Sequence, residues 1–193
     1  HELAHAWVAL RLGDDTPRLM GRATWKPREH RDPVGSLMLL VADIGWARPV
    51  VIDRAKLKKP VRDDILIALA GPLSNLACAL LLTAALRGVV SLVPFGARGI
   101  FEIVTSVFLA FISINVSLGL FNLLPIPPLD GSHVVAGALA AKSAAGAAVY
   151  FRYGTYALLG LIVLERILNV EILPVGRAVN WVVLQLLRLV GRA

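Results

Sequence analysis

Residues 65–86 read ILIALAGPLSNLACALLLTAAL, an apolar run without a single charged side chain. A helix needs about 20 such residues to cross a hydrocarbon core of about 30 Å. A membrane-spanning β-strand would be only about 10 residues long and would alternate in polarity, and this run does not alternate. The run therefore predicts a membrane-spanning helix.

The rest of the chain is similarly apolar. Hydrophobic residues make up 57% of its 193 positions and charged residues only 17%, which is unlike a soluble domain. We predict an all-α polytopic membrane protein, a helix bundle that forms one membrane-embedded domain over 1–193. Its predicted elements are the end of a first helix at 1–12, spanning helices at 65–86, 100–124 and 150–170, and a C-terminal apolar helix at 174–190.

The region 13–62 breaks this helical pattern. It begins at Gly13, which stops the first helix, and between 21 and 62 its apolar runs are interrupted by Pro27, Pro33, Pro49 and Pro60. For 35–52 we predict short strands, as a β-hairpin, or a re-entrant segment. Non-helical backbone at membrane depth must be covered by protein or line a water-filled cavity, so we expect this stretch to border a site.

The net charge of +7 is concentrated in two loops. Six basic residues lie in 11–31 and six in 48–62, whereas 87–99 contains two. Loops rich in Lys and Arg stay in the cytosol, so both are predicted to be cytosolic, and LPIPPLDG (124–131) should emerge on the same side. The basic residues form no aromatic-interleaved surface, so no nucleic-acid partner is predicted.

The first five residues, HELAH, carry the most informative motif. His1 and His5 are one helical turn apart and can chelate one Zn²⁺, while Glu2 lies to the side, where a general base can reach a water that the metal activates. Ionisable residues in a membrane segment are functional by default. The chain starts on this motif without an initiator Met or signal peptide, so we expect an N-terminal part to have been trimmed.

A catalytic zinc site needs a third protein ligand and an open position. Asp130 is the best candidate, because the prolines of NLLPIPPLDG (122–131) end a helix and present this carboxylate on a stiff turn. An ordinary Asp-Gly turn is the alternative interpretation. His133 and His30 are competing ligands that rank below Asp130.

A further motif, GPLSN (71–75), lies within the apolar run. Gly71 allows another backbone to approach closely, and Asn75 offers amide donors in apolar surroundings. Substrate contact and plain helix packing explain Asn75 equally well.

The motifs HELAH, GPLSN and NLLPIPPLDG, in this order on membrane segments, resemble the site-2 protease family of intramembrane zinc metalloproteases. The connecting stretches GRATWKPREHRDPVGSLML (21–39) and GWARPVVID (45–53) are similar to its compact branch. The resemblance covers most of 1–135. The loop at 86–100 is too short for a PDZ domain, and Ser132 and His133 follow Gly131 where a second glycine is frequent.

The resemblance implies that His1, His5 and Asp130 bind one catalytic zinc ion and that Glu2 is the general base. It further implies that Asn75 and Asn122 orient the substrate backbone or stabilise the oxyanion. The implied substrates are transmembrane segments of membrane-anchored proteins, such as anti-sigma factors or membrane-tethered regulators, cut in regulated intramembrane proteolysis. The implied location is a prokaryotic cytoplasmic membrane, with the lipid bilayer around the helices and the active site toward the cytosol.

Two other functions remain open. Paired histidines on a spanning helix also suit a transition-metal transporter, but this would need ligands at several depths, and 140–193 contains no histidine. A non-proteolytic relative that binds membrane helices would retain the same motifs.

Overall fold

The structure is a computed structural model that describes residues 1–42, 45, 47–92 and 98–190. Its α-helices are α1 (Glu2–Leu12), α2 (Thr16–Leu19), α3 (Pro27–His30), α4 (Pro33–Ala42), α5 (Pro60–Leu92), α6 (Arg98–Asn122), α7 (Ser132–Ala140), α8 (Ala144–Leu168) and α9 (Val175–Val190). A 3-10 turn occupies Arg54–Lys56. The chain divides into two compact units, His1–Gly71 and Pro72–Ala193.

Among the residues that the structure describes, three helices, α5, α6 and α8, are long and apolar enough to cross a membrane. In the most apolar window of α8 only 6% of the residues are buried within the protein. Such a surface needs lipid or another protein around it, because exposed apolar area on this scale is unfavourable in water. The predicted all-α membrane fold is thus confirmed.

The strands predicted within 35–52 are wrong where α4 occupies Pro33–Ala42. The reason is a helix start: the Asp32 side chain accepts a hydrogen bond from the amide of Gly35 at 2.8 Å, and Pro33 follows at the first helical position. Beyond α4, residues 43, 44 and 46 of this prediction lie outside the described residues. In the described part of 31–53, strand pairing is limited to one antiparallel bridge between Arg31 and Ala47, so no β-hairpin is seen.

The first unit has a small apolar core in which Ala9, Leu57 and Ile67 are buried. Beside it, Asp14 is fully buried and accepts hydrogen bonds from the amides of Thr16 at 2.9 Å and Asp53 at 2.8 Å. Burial works to raise the pKa of Asp14, but the hydrogen bonds from Thr16 and Asp53 outweigh it and hold the pKa below its ordinary value. This carboxylate fastens the loop before α5 to the end of α1.

In the second unit, α9 packs along α6. Their shared core includes, in the described part of this unit, the buried residues Ala79, Leu86, Ile112, Val116 and Val179. The α9 side chains that reach this core recur at helical spacing, as Val175, Val179, Val182, Val183, Leu186 and Leu187. This periodicity puts the polar residues of α9 on the opposite face.

Candidate metal centre

Helix α1 brings the two motif histidines into contact in the first unit. Their ring centroids are 4.8 Å apart and the rings are nearly perpendicular, at 83°. Nδ1 of His5 lies 2.7 Å from the carbonyl oxygen of Ile67 on α5. A carbonyl can only accept, so Nδ1 carries the proton and Nε2 keeps its lone pair, the tautomer that a metal requires.

The two imidazoles lie against Gly71, at the place where a side chain would be. A Cβ atom at Gly71 would lie 2.3 Å from Nε2 of His5 and 2.8 Å from Cε1 of His1, so no larger residue fits. The sequence interpretation expected a backbone at this glycine, and the neighbours are instead imidazole rings. Two imidazoles in contact, one of them in a fixed tautomer, form a donor pair that fits zinc.

Glu2 is half-buried and its Oε2 accepts a hydrogen bond from the amide of Val50 at 3.3 Å. Val50 belongs to 35–52, the stretch that was expected to border a site. The contact fixes one carboxylate oxygen near the start of α1.

Asp130 lies in the second unit, at the end of a loop closed by its neighbours. The amide of Gly131 donates to the carbonyl of Asn122 at 2.6 Å, which ties the loop back to the end of α6. A Cβ at Gly131 would lie 2.2 Å from the oxygen of Leu123, so only glycine fits. The carboxylate is therefore presented on a turn whose ends are fixed.

Helix α8 supports this loop through two residues that sequence reasoning missed. The hydroxyl of Tyr150 donates to the carbonyl of Pro125 at 2.7 Å, and a Cβ at Gly154 would lie 2.5 Å from Cδ of Pro127. In the sequence, only the spacing of this tyrosine and glycine, four residues apart on one helical face, pointed to such a support. That spacing is too common to be informative alone.

The two predicted substrate-contact residues also lie in the second unit. Asn75 on α5 is 4% exposed, and its Nδ2 is buried without a hydrogen-bond partner in the described part of the chain. Asn122 donates its Nδ2 to the carbonyl of Leu118 at 2.9 Å, one turn back on α6. The Nδ2 of Asn75 is thus an unused donor among the described residues, whereas Asn122 uses an amide hydrogen within its own helix.

The two lower-ranked histidines have neighbours elsewhere. Nε2 of His30 donates to the carbonyl of Thr24 at 2.9 Å. The ring of His133 packs edge-on against Phe151, with centroids 5.4 Å apart.

An all-α membrane chain with an HExxH histidine pair at the start of a helix defines a class of membrane-embedded metalloproteins. Residues 85–163 match the family model described as Peptidase family M50. The chain belongs to this family, the site-2 proteases.

Individual relatives agree with this assignment. The chain is 43% identical over 140 residues to the "Putative zinc metalloprotease YwhC" of Bacillus subtilis (strain 168), covering 70% of the chain and 62% of the relative. It is 36% identical over 142 residues to the "Putative zinc metalloprotease Rip2" of Mycobacterium tuberculosis, covering 68% of the chain and 49% of the relative. The chain thus spans 62% of the length of YwhC and 49% of that of Rip2. No solved structure matches it.

Proposed function

We propose that the whole protein is an intramembrane zinc metalloprotease that hydrolyses peptide bonds within or near transmembrane helices of membrane-anchored proteins. The observation that carries this proposal is the His5 imidazole, whose Nδ1 bonds to the carbonyl of Ile67 and whose ring lies with that of His1 against Gly71, with Nε2 as the remaining ligand atom. Both relatives are named zinc metalloproteases, which supports zinc as the metal here.

The proposed ligands of a single zinc ion are His1, His5 and Asp130. Two imidazoles and one carboxylate are a common donor set of catalytic zinc and leave a fourth position for water or substrate. The assignment of Asp130 is supported by its place in the LDG motif and by the closed loop that presents it.

Glu2 is the proposed general base. When bound, zinc supplies Lewis-acid chemistry, acidifying water and polarising a peptide carbonyl. Glu2 follows His1 directly and is turned about 100° from it around α1, so its carboxylate can take a proton from the attacking water without occupying a ligand position. The same carboxyl group then gives that proton to the leaving amine.

Asn75 is the proposed contact for the substrate backbone. A transmembrane helix must unwind locally before its carbonyls can be attacked, and the freed backbone groups need new hydrogen-bond partners in apolar surroundings. The buried Nδ2 of Asn75 can donate to such a carbonyl. Asn122 is proposed to assist through its remaining hydrogen-bonding capacity.

The proposed setting is a prokaryotic cytoplasmic membrane with the site toward the cytosol. The basic loops at 11–31 and 48–62 support this orientation through the positive-inside rule. Anti-sigma factors and other membrane-tethered regulators are the proposed substrates, and regulated intramembrane proteolysis is the proposed process.

Glu2→Gln in the full-length protein tests the proposal. We expect it to retain zinc but to cleave a membrane-anchored reporter at least about a hundredfold more slowly, because the general base is lost. Glu29→Gln, an exposed glutamate on α3, is the matched control and should cleave at the normal rate. Normal cleavage by Glu2→Gln would contradict the mechanism.

A further inference from the structure

A cationic cavity of about 280 Å³ lies in the first unit, between the end of α1 and the start of α5. Four basic side chains line it, those of Arg11, Lys58, Lys59 and Arg62. All four residues are exposed, so the cavity is open to an incoming molecule.

The acidic residues around this cavity do not balance its four cations. Asp63 lines the cavity, but it is only 3% exposed and its Oδ2 accepts from the backbone amide of Lys59 at 2.8 Å. Asp64 forms a two-pronged ion pair with Arg54 at 2.9 and 2.8 Å. Within the described residues the four cations have no carboxylate partner, so the cavity favours an anion.

An apolar groove of about 540 Å³ adjoins the cavity and shares Lys59 and Arg62 with it. The rest of its lining comes from the first two turns of α5, namely Pro60, Val61, Ile65 and Leu66. Val61 is 50% exposed and Leu66 39% exposed, although both belong to a helix of membrane-spanning character. A cationic cavity that continues into an apolar groove matches a molecule with a negative head and a hydrocarbon tail.

We propose that this place binds one anionic phospholipid, with its phosphate headgroup in the cavity and part of an acyl chain in the groove. Clustered Lys and Arg next to a spanning helix attract anionic lipid headgroups. A free phosphate ion would use the cavity but not the groove, so the groove identifies lipid as the source of the phosphate. The site uses none of the proposed catalytic residues and stands independently of the proposed function.

The test uses full-length protein, delipidated in detergent and titrated with phosphatidylglycerol or phosphatidylcholine, with bound lipid measured by native mass spectrometry. We expect phosphatidylglycerol to bind more tightly than phosphatidylcholine. The double substitution Lys58→Gln, Arg62→Gln should weaken phosphatidylglycerol binding about thirtyfold, since each cation near a headgroup contributes about fivefold. Phosphatidylcholine binding should not change.

The matched control is Lys26→Gln, Arg28→Gln, which removes the same charge at exposed positions that do not line the cavity. It should leave phosphatidylglycerol binding within twofold, and the charge-preserving swap Lys58→Arg, Arg62→Lys should do the same. Val61→Asn should weaken lipid binding through the groove. Three outcomes would overturn the proposal. The two glutamine pairs could weaken phosphatidylglycerol binding equally, or the two lipids could bind with equal affinity. Inorganic phosphate, at a concentration equal to that of the lipid, could also displace phosphatidylglycerol.

Discussion

Gly71 has a chemical role that a packing motif alone would not predict. Because Gly71 has no side chain, the imidazoles of His1 and His5 can lie where they do; a Cβ at this position would lie 2.3 Å from Nε2 of His5. The GPLSN motif thus contacts the HELAH motif at Gly71, where the absence of a side chain lets the two imidazoles pack closely.

Gly71→Ala is expected to lower zinc affinity by about 10- to 100-fold, the loss typical of substitutions that displace a metal-ligating histidine from its support. Competition with a chromophoric chelator measures it. Gly88→Ala on the same helix is the control, since a Cβ there meets no atom of the described residues within 4 Å. The same loss in both variants would indicate a general effect on α5 instead.

Asp14 predicts a pH dependence of stability. Its pKa is lower in the folded protein than in the unfolded chain, so its stabilisation is present above the unfolded value of 3.8 and is lost as pH falls through the folded value. Asp14→Ala leaves the amides of Thr16 and Asp53 unsatisfied and should cost about 1–3 kcal/mol at neutral pH. Thermal unfolding should show the difference shrinking below about pH 4.

Asp15→Ala is the control for Asp14→Ala. Its carboxylate pairs with Lys56 at 2.6 Å, but both side chains are exposed, so Asp15→Ala should be much milder. A pH-independent deficit in Asp14→Ala would mean that packing and not charge explains the effect.

Helix α8 acts on the loop that carries Asp130. Gly154 lies against Pro127, and the hydroxyl of Tyr150 holds the carbonyl of Pro125. Hydropathy predicts this helix only as a span at 150–170, and it gives no sign of the support.

Gly154→Ala is expected to push the loop away from α8. Overpacking of this kind typically costs about 1–3 kcal/mol, and it should lower cleavage of a reporter through displacement of Asp130. Gly160→Ala on the same helix is the matched control, because in the described part of the chain a methyl group added there would have no neighbouring atom within 4 Å. Normal stability and cleavage in Gly154→Ala would show that the loop does not depend on α8.

The helix ends show why local sequence sufficed for some elements and not for others. Pro125 and the residues after it stop α6 at Asn122, close to the predicted 124. Helix α4 was missed because the prolines were interpreted only as breaks, although Asp32 and Pro33 form a helix-starting pair. Helix α8 starts at Ala144, where the Ser143 side chain caps it. The predicted start at 150 was based on hydropathy alone, which does not detect such a cap.

Asp130→Ala tests whether the distant motifs work as one centre. We expect one zinc per chain in the full-length protein and loss of most zinc in the variant, because two imidazoles alone hold zinc weakly. Metal analysis of purified protein measures both. Glu102→Gln, an exposed carboxylate on α6, should keep its zinc, and full zinc content in Asp130→Ala would refute the proposed ligand set.

Considered over the whole chain, sequence reasoning performed best where chemistry is local. The HELAH spacing predicts the contact of His1 with His5, and the apolar runs predict three helices of spanning character. It performed worst where a role depends on a remote partner. No motif predicts the hydrogen bond from His5 to the carbonyl of Ile67 or the cationic cavity beside α5. Both bring together parts of the chain that are about 50 or more positions apart.

The bond from His5 to the carbonyl of Ile67 has one more consequence. In an α-helix this carbonyl is also the acceptor for the amide of Gly71, so one oxygen serves an imidazole and the main chain of α5. The chemical shift and deuterium exchange of the Gly71 amide should therefore report the orientation of the His5 ring, with no probe attached to the protein.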